Sequence, residues 1–255
     1  MKFILALMLL LTSASALAAG GFMWLEGLTH SVGQPDHVVT FSIICVLFLI
    51  LGIIYRAKTS NVDKALVPDK GITFRNIYEF FGDFIYNLSK STIGEKEGPE
   101  YFKFFMFYFL LIFMNNLIGL VPGFMPPTEN LNTGLGLGIL VFLYYNFHGI
   151  RVQGLKAHIA HLMGPIAAMA PLIFVIELIS HLMRPLTLGL RIRGNMMGDH
   201  TVLAVFSDLV PYIVPIPFYV LGIFVCFMQA FVFTILSMVY MNLAVELQDH
   251  GDHAH

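Results

Sequence analysis

Four stretches of this chain run for about eighteen residues or more without a single Asp, Glu, Lys or Arg, and nothing constrains its fold more. They lie near residues 38–55, 104–121, 131–150 and 210–245, and a fifth apolar segment near 165–206 is interrupted by a few charges. At 1.5 Å per residue, about eighteen helical residues cross a hydrocarbon core of ~30 Å, where every backbone polar group must be satisfied internally. Composition agrees: 57% of residues are hydrophobic and 12% charged, against roughly 45–50% and a quarter in soluble domains. The expected class is an all-α membrane protein with about five crossing helices, the last two long and tilted. Cys45 and Cys226 both lie inside apolar runs, which excludes a disulfide framework and a cysteine-based zinc site. A net charge of −2 leaves no broad basic face for nucleic acid.

The first residues read differently. Lys2, the apolar run Phe3–Leu11 and the small residues ending Ala16-Leu17-Ala18 have the form of a secretory signal peptide. Residues 1–18 are therefore expected to be cleaved, leaving 19–255 as a single polytopic membrane domain that starts outside the cytoplasm. The basic residues give an independent orientation. Arg56, Lys58, Lys64, Lys70, Arg75, Lys90, Lys96 and Lys103 separate the first two spans, and Arg151 and Lys156 separate the third from the fourth. Segments 19–37, 122–130 and 207–217 hold no Lys or Arg. By the positive-inside rule the N-terminus lies outside, and five crossings bring the C-terminus into the cytoplasm. Between the first two spans, Phe74, Ile77, Tyr78, Phe81, Phe84, Ile85 and Leu88 recur at helical spacing, with Arg75, Glu79, Asp83, Asn87 and Lys90 on other faces. That pattern predicts an interfacial amphipathic helix near 72–92.

The third span carries Gly134 and Gly138, a spacing that lets another helix approach closely. The fourth carries the chemistry. Glu177, His181, Arg184, Leu188, Arg191, Asn195 and Asp199 follow one another at three or four, so they share a helical stripe, with Arg193 and His200 on a neighbouring face. Its length of ~63 Å is twice the hydrocarbon thickness, so the helix must tilt strongly or bend, with Gly194 a candidate position. An arginine at the bilayer centre costs roughly 2.5–3.5 kcal/mol on insertion scales, and is retained only when it faces protein, water or a counter-charge. Arg184 reads equally as an arginine snorkelling to the cytoplasmic interface. Glu177 and Asp199 are too far along the helix to pair directly with Arg191, which reads as a charge awaiting a carboxylate on another chain. In the fifth span Gln229 reads either as helix-packing glue or as a residue that faces Arg191 or Asn195 and lines a polar path.

The run Arg184-Pro-Leu-Thr-Leu-Gly-Leu-Arg191-Ile-Arg-Gly194-Asn195-Met resembles subunit a of the F-type ATP synthase, as do Met228-Gln229-Ala-Phe-Val-Phe, Val239-Tyr240, Met114-Asn115-Asn116 and the turn from Pro127 to Thr133. The resemblance covers about residues 34 to 248. It implies a proton-conducting stator that does no covalent chemistry itself and needs no cofactor or metal. The implied partners are a ring of c subunits, peripheral-stalk b subunits, the remainder of the synthase and membrane lipid, in the bacterial plasma (inner) membrane. Arg191, Asn195, His200, Gln229, Glu177 and Ser180 would carry proton translocation. Asn195, His200 and Gln229 belong to the outer half-channel, with Asn116 and Glu129 nearer its entrance. Glu177 and Ser180, with Tyr240 and Glu246, belong to the cytoplasmic one, and Arg184 is a further channel-lining candidate.

The sequence also departs from the family's pattern. Arg193 replaces an apolar aromatic and should project to another face, where Asp199, Asp208 or lipid phosphate would pair with it. Asn130 replaces an acid, with Glu129 as its substitute. Gly119 replaces a frequent acid or polar residue. Gly222 stands where some members carry His or Glu, so the titratable group would have moved across to His200. Two other readings compete. An independent proton or cation channel accounts for the buried arginines but leaves Arg191 without a carboxylate. A metal-dependent membrane enzyme built on His148, His158, His161 and His181 lacks the nearby carboxylate base.

Overall fold

In the computed structural model the described residues are 25–58, 73–95, 97–121, 124–154, 170–209 and 215–246. Residues 1–24, where the signal peptide is expected, lie outside them, as do Lys64, Lys70, Lys156, His158 and His161. The described chain is helical: α1 (Glu26–Val32), α2 (Asp36–Lys58), α3 (Phe74–Ile93), α4 (Gly98–Leu117), α5 (Leu131–Gln153), α6 (Ala170–Leu209) and α7 (Pro215–Glu246). Single 3₁₀ turns at Ile118–Leu120 and Pro127–Glu129 shape the hairpin between α4 and α5. Five of these helices, α2 and α4 to α7, are long and apolar enough to cross a membrane.

α4 is the central post. In its most apolar stretch 61% of residues are buried, against 11% for α2 and 11% for α6. Phe105, Tyr108, Phe109 and Ile112 of α4 meet Ile85 of α3, Leu137 and Val141 of α5, and Cys226, Ala230 and Phe233 of α7 in one core. Lipid tails are as apolar as Leu, so membrane helices associate through close packing and interhelical hydrogen bonds rather than by escaping water. Both are present. Phe104 stacks on Tyr144 at 3.7 Å between ring centroids, and the buried Tyr108 hydroxyl donates to the Leu137 carbonyl at 2.8 Å.

α3 packs Tyr78, Phe81, Phe84, Ile85 and Leu88 onto this core and leaves Ile77 exposed. Arg75, expected on a polar face, is instead buried beside Glu79, its Nε donating to Oε1 at 2.6 Å. One turn of helix separates the two, so the carboxylate travels inward with the guanidinium and offsets its burial. Gly94, at φ +123°, ends α3 in a conformation that side chains rarely adopt. Beyond it the chain turns sharply enough for Ser89 Oγ to donate to the Gly98 carbonyl at 2.8 Å.

α6 is held by a seam of small residues. A Cβ on Gly134 would lie 2.9 Å from the Gly189 carbonyl oxygen, and one on Gly138 would lie 2.6 Å from that of Pro185. The close approach expected of the Gly134/Gly138 spacing is thus made by α6 itself. α6 continues as helix through Gly194, and its interior proline is Pro185. Asn130 begins α5 properly, its Oδ1 accepting the Asn132 N–H at 3.0 Å.

The seam gives an internal comparison on a single helix. Gly138→Ala is expected to lower stability by about 1–3 kcal/mol, because its methyl meets unyielding backbone. Gly136→Ala, whose Cβ would meet nothing within 4 Å, should leave stability unchanged or slightly raised. Thermal unfolding of both variants in mild detergent measures the difference, and equal behaviour would refute the seam.

Candidate functional site

The polar stripe on α6 divides into three zones, because a helix that repeats every 3.6 residues rotates its stripe slowly around the axis. The lower zone faces α5 and α7. Arg184 Nη2 lies 3.6 Å from Glu177 Oε1, and its guanidinium sits 5.0 Å over the Tyr240 ring. The Asn146 amide nitrogen donates to the Phe142 carbonyl at 2.7 Å, which leaves Oδ1 to accept from His181 Nε2 at 2.8 Å. The Tyr145 hydroxyl lies 3.4 Å from the same imidazole nitrogen. Ser180 is exposed and does not join this group. Glu246 ends α7, and its side chain lies outside the described residues.

In the middle zone Leu188 and Ile192 turn into the core while Arg191 and Asn195 stay at the surface. Among the described residues Arg191 makes no hydrogen bond or ion pair, in contrast to Arg184. One turn further on, Asn195 Nδ2 donates to Gln229 Oε1 across the α6–α7 contact. Gln229 is buried, and its Nε2 has no protein partner.

The upper zone faces the α4–α5 hairpin. His200 Nδ1 lies 3.8 Å from Glu129 Oε2, and His200 Nε2 is buried without a protein partner. Asn116 is fully buried. Its Oδ1 accepts from Thr128 Oγ1 at 2.7 Å, while its Nδ2 has no protein partner. Two glycines make room for this zone. A Cβ on Gly119 would come within 2.9 Å of His200 Nε2, and one on Gly222 within 3.1 Å of Asp199 Oδ2. His200 and Asp199 thus share with Pro126 and Leu120 the space that side chains at position 119, in the 3₁₀ turn, and position 222, on α7, would fill.

The structure thus brings Asn195 to Gln229, His200 to Glu129, and Arg184 to both Glu177 and Tyr240, and leaves Ser180 apart. The pairing expected between Arg193 and Asp199 is not formed. Arg193 lines a cavity of about 690 Å³ beside Glu129 and Asn130, whereas Asp199 turns toward Gly222 on α7; Asp208's side chain lies outside the described residues. Six helical positions, at about 100° each, leave the two side chains about 120° apart around the axis, enough to send them to different neighbours. Tyr145, Asn146 and Thr128 escaped the sequence reading because their roles arise only from contacts between helices. Among the described residues no group of three or more His, Cys, Asp or Glu is arranged to hold a metal ion.

The family model described as ATP synthase A chain matches residues 38–242. The chain belongs to this family. It is 48% identical over 230 residues to a Bdellovibrio bacteriovorus protein named ATP synthase subunit a, covering 90% of this chain and 99% of that one. Proteins of the same name from Campylobacter jejuni and Geobacter sulfurreducens are 43% and 40% identical, each over 87% of this chain and 93% of theirs. With five apolar helices, this member is a multi-pass membrane protein.

The two arginines should separate in stability measurements. Arg184→Gln combined with Tyr240→Leu in a double-mutant cycle is expected to give a coupling of about 0.5–1 kcal/mol. Arg191→Gln should stay within about 0.5 kcal/mol of the parent. Thermal unfolding in detergent reads both, and a destabilised Arg191→Gln would mean that its guanidinium is held by the protein after all.

Proposed function

We propose that this chain is the proton-conducting stator subunit of an F-type ATP synthase, set against a ring of c subunits and held by peripheral-stalk b subunits. The observation that carries the reading is Arg191: an exposed guanidinium within a membrane-spanning helix, without a partner among the described residues, next to the Asn195–Gln229 pair. A charge so placed is retained in a membrane when something supplies a counter-charge, and a carboxylate on a facing subunit is the fitting one. The names of the relatives support the same assignment. The site sits in the bacterial inner membrane, with the N-terminus outside and the C-terminus in the cytoplasm.

The mechanism follows from electrostatics. A fixed cation beside a carboxyl group favours its ionised form. A ring carboxyl arriving at Arg191 therefore releases its proton into one half-channel, and after passing takes a proton from the other before it meets lipid. Glu129, His200, Asn116, Asn195 and Gln229 border the outer half-channel. Glu177, Arg184 and Tyr240 border the cytoplasmic one, with Ser180 and Glu246 at its margin. Buried polar atoms are nearly always hydrogen-bonded. The partnerless nitrogens of Asn116, His200 and Gln229 therefore suit a path in which water or a passing proton carrier completes their bonding. Arg191 also keeps protons from crossing directly between the half-channels. Each proton is driven by ~2.3 kcal/mol per 100 mV of membrane potential, and the chain makes and breaks no covalent bond other than those to protons.

ATP-driven proton pumping in inverted membrane vesicles tests the reading, with assembly checked by co-purification of the ring. Arg191→Ala is expected to abolish pumping in a complex that still assembles. Undiminished pumping would overturn the role of Arg191, and failure of the parent chain to co-purify with any ring would favour an independent proton or cation channel.

A further inference from the structure

The large cavity beside Arg193 is not explained by the half-channel residues alone. Its wall draws on four parts of the chain: His30 of α1, Asp36 and His37 at the start of α2, Glu129 and Asn130 of the hairpin, and Arg193 of α6. Two carboxylates face one guanidinium, so with neutral imidazoles the lining carries a net negative charge, which attracts protons to the mouth of the cavity. Glu129 connects this space to the interior, because its other contact is the His200 imidazole at 3.8 Å.

The bonding around His37 is directional. Asn130 Oδ1 is occupied in capping α5, where it accepts the Asn132 N–H at 3.0 Å. The other end of the amide, Nδ2, is therefore the atom 3.3 Å from His37 Nδ1. An amide nitrogen only donates. His37 Nδ1 must accept, which defines the neutral ring as the tautomer with its proton on Nε2. A second proton can add only at Nδ1, and there it would confront the Asn130 amide donor. Protonation thus breaks the bond that holds the ring and frees it to turn toward the cavity, while deprotonation restores the bond. The α5 cap prevents Asn130 from flipping to accommodate the charged ring.

We propose that this cavity is a proton-loading vestibule for the outer half-channel, in which His37 captures a proton at Nδ1, leaves Asn130, and delivers the proton to the carboxylate of Glu129. His30 is a second imidazole at the same mouth. Glu129 passes the proton to His200, and neutral His37 returns to Asn130. The groups facing His37 are His30 from α1, Asp36 on its own helix, Glu129 and Asn130 from the hairpin and Arg193 from α6. This rests on the outer half-channel reading above.

The discriminating variant is His37→Gln, which keeps a carbonyl oxygen to accept from Asn130 but cannot titrate. The assay is ATP synthesis by the whole complex in proteoliposomes under an imposed potential, with the pH on the vestibule side varied from about 5 to 8, where imidazole changes charge. His37→Gln is expected to slow synthesis several-fold on the alkaline limb, where protons are scarce and capture limits the rate, and to match the parent on the acid limb, where Glu129 loads directly. A profile superimposable on the parent's would overturn the proposal, as would a drop of equal size at every pH. His37→Ala, which also removes the bond to Asn130, should add a pH-independent loss. Arg191→Ala run alongside separates the two ideas. Synthesis that survives Arg191→Ala sinks the stator reading, whereas an inactive Arg191→Ala with an unaltered His37→Gln sinks the vestibule alone.

Discussion

The polar face of α6 is positioned by a backbone contact between two helices. Where α5 and α6 cross, Gly134 and Gly138 leave no side chain between the helices, and the Gly189 and Pro185 carbonyls move into the space. Dispersion falls off steeply with distance, so an approach this close is the strongest association that apolar helices in lipid can make. It also fixes the rotation of α6 about its axis. With that rotation set, Leu188, Ile192 and Met196 point into the core, and the intervening positions place Arg191 and Asn195 at the surface.

Three arginines within ten positions of α6 meet three different environments, and the differences arise from rotation and depth. Arg184 is covered by a carboxylate and an aromatic face. Arg193 opens into a roomy polar cavity. Arg191, between them, is left with neither. Desolvating a guanidinium is costly, and of the three only Arg184 has that cost offset by a carboxylate among the described residues. The same residue type is thus paired within the chain at one position and, a single heptad later, left unpaired among the described residues.

Much of this was legible in the sequence, for physical reasons. Long apolar runs of hydrocarbon-spanning length have few alternatives to helices, so the five spans could be read directly, and so could the amphipathic helix α3 from its spacing. The small-residue spacing on α5 announced a close neighbour, although not which helix it would be. Within the site, the contact of Gln229 with Asn195 was one of the readings of the sequence, whereas the single stripe on α6 divides, with Leu188 turned into the core. Asn146 and Tyr145 on α5, or the Asn130–His37 contact over 93 positions of sequence, depend on how separate helices are rotated against each other, and no local pattern encodes that. Arg193 was the plainest case: Asp199 lies six positions away, yet the two face different neighbours.

The facing pairs Gly119–His200 and Gly222–Asp199 also bear on how such a site changes over evolutionary time. At each, the space the missing side chain leaves free is shared between the titratable residue and an apolar one, Pro126 beside His200 and Leu120 beside Asp199. A lineage that enlarges the residue at 222 or 119 first creates a clash, while one that first trims Asp199 or His200 creates a gap lined by polar groups. A side chain at 119 or 222 therefore calls for adjustment at Pro126 or Leu120 as well as at His200 or Asp199, so the change spans three positions rather than one. The location of a titratable side chain on one helix or its neighbour is then a record of ancestry as much as of chemistry, and single-site comparisons between relatives misjudge what each position tolerates.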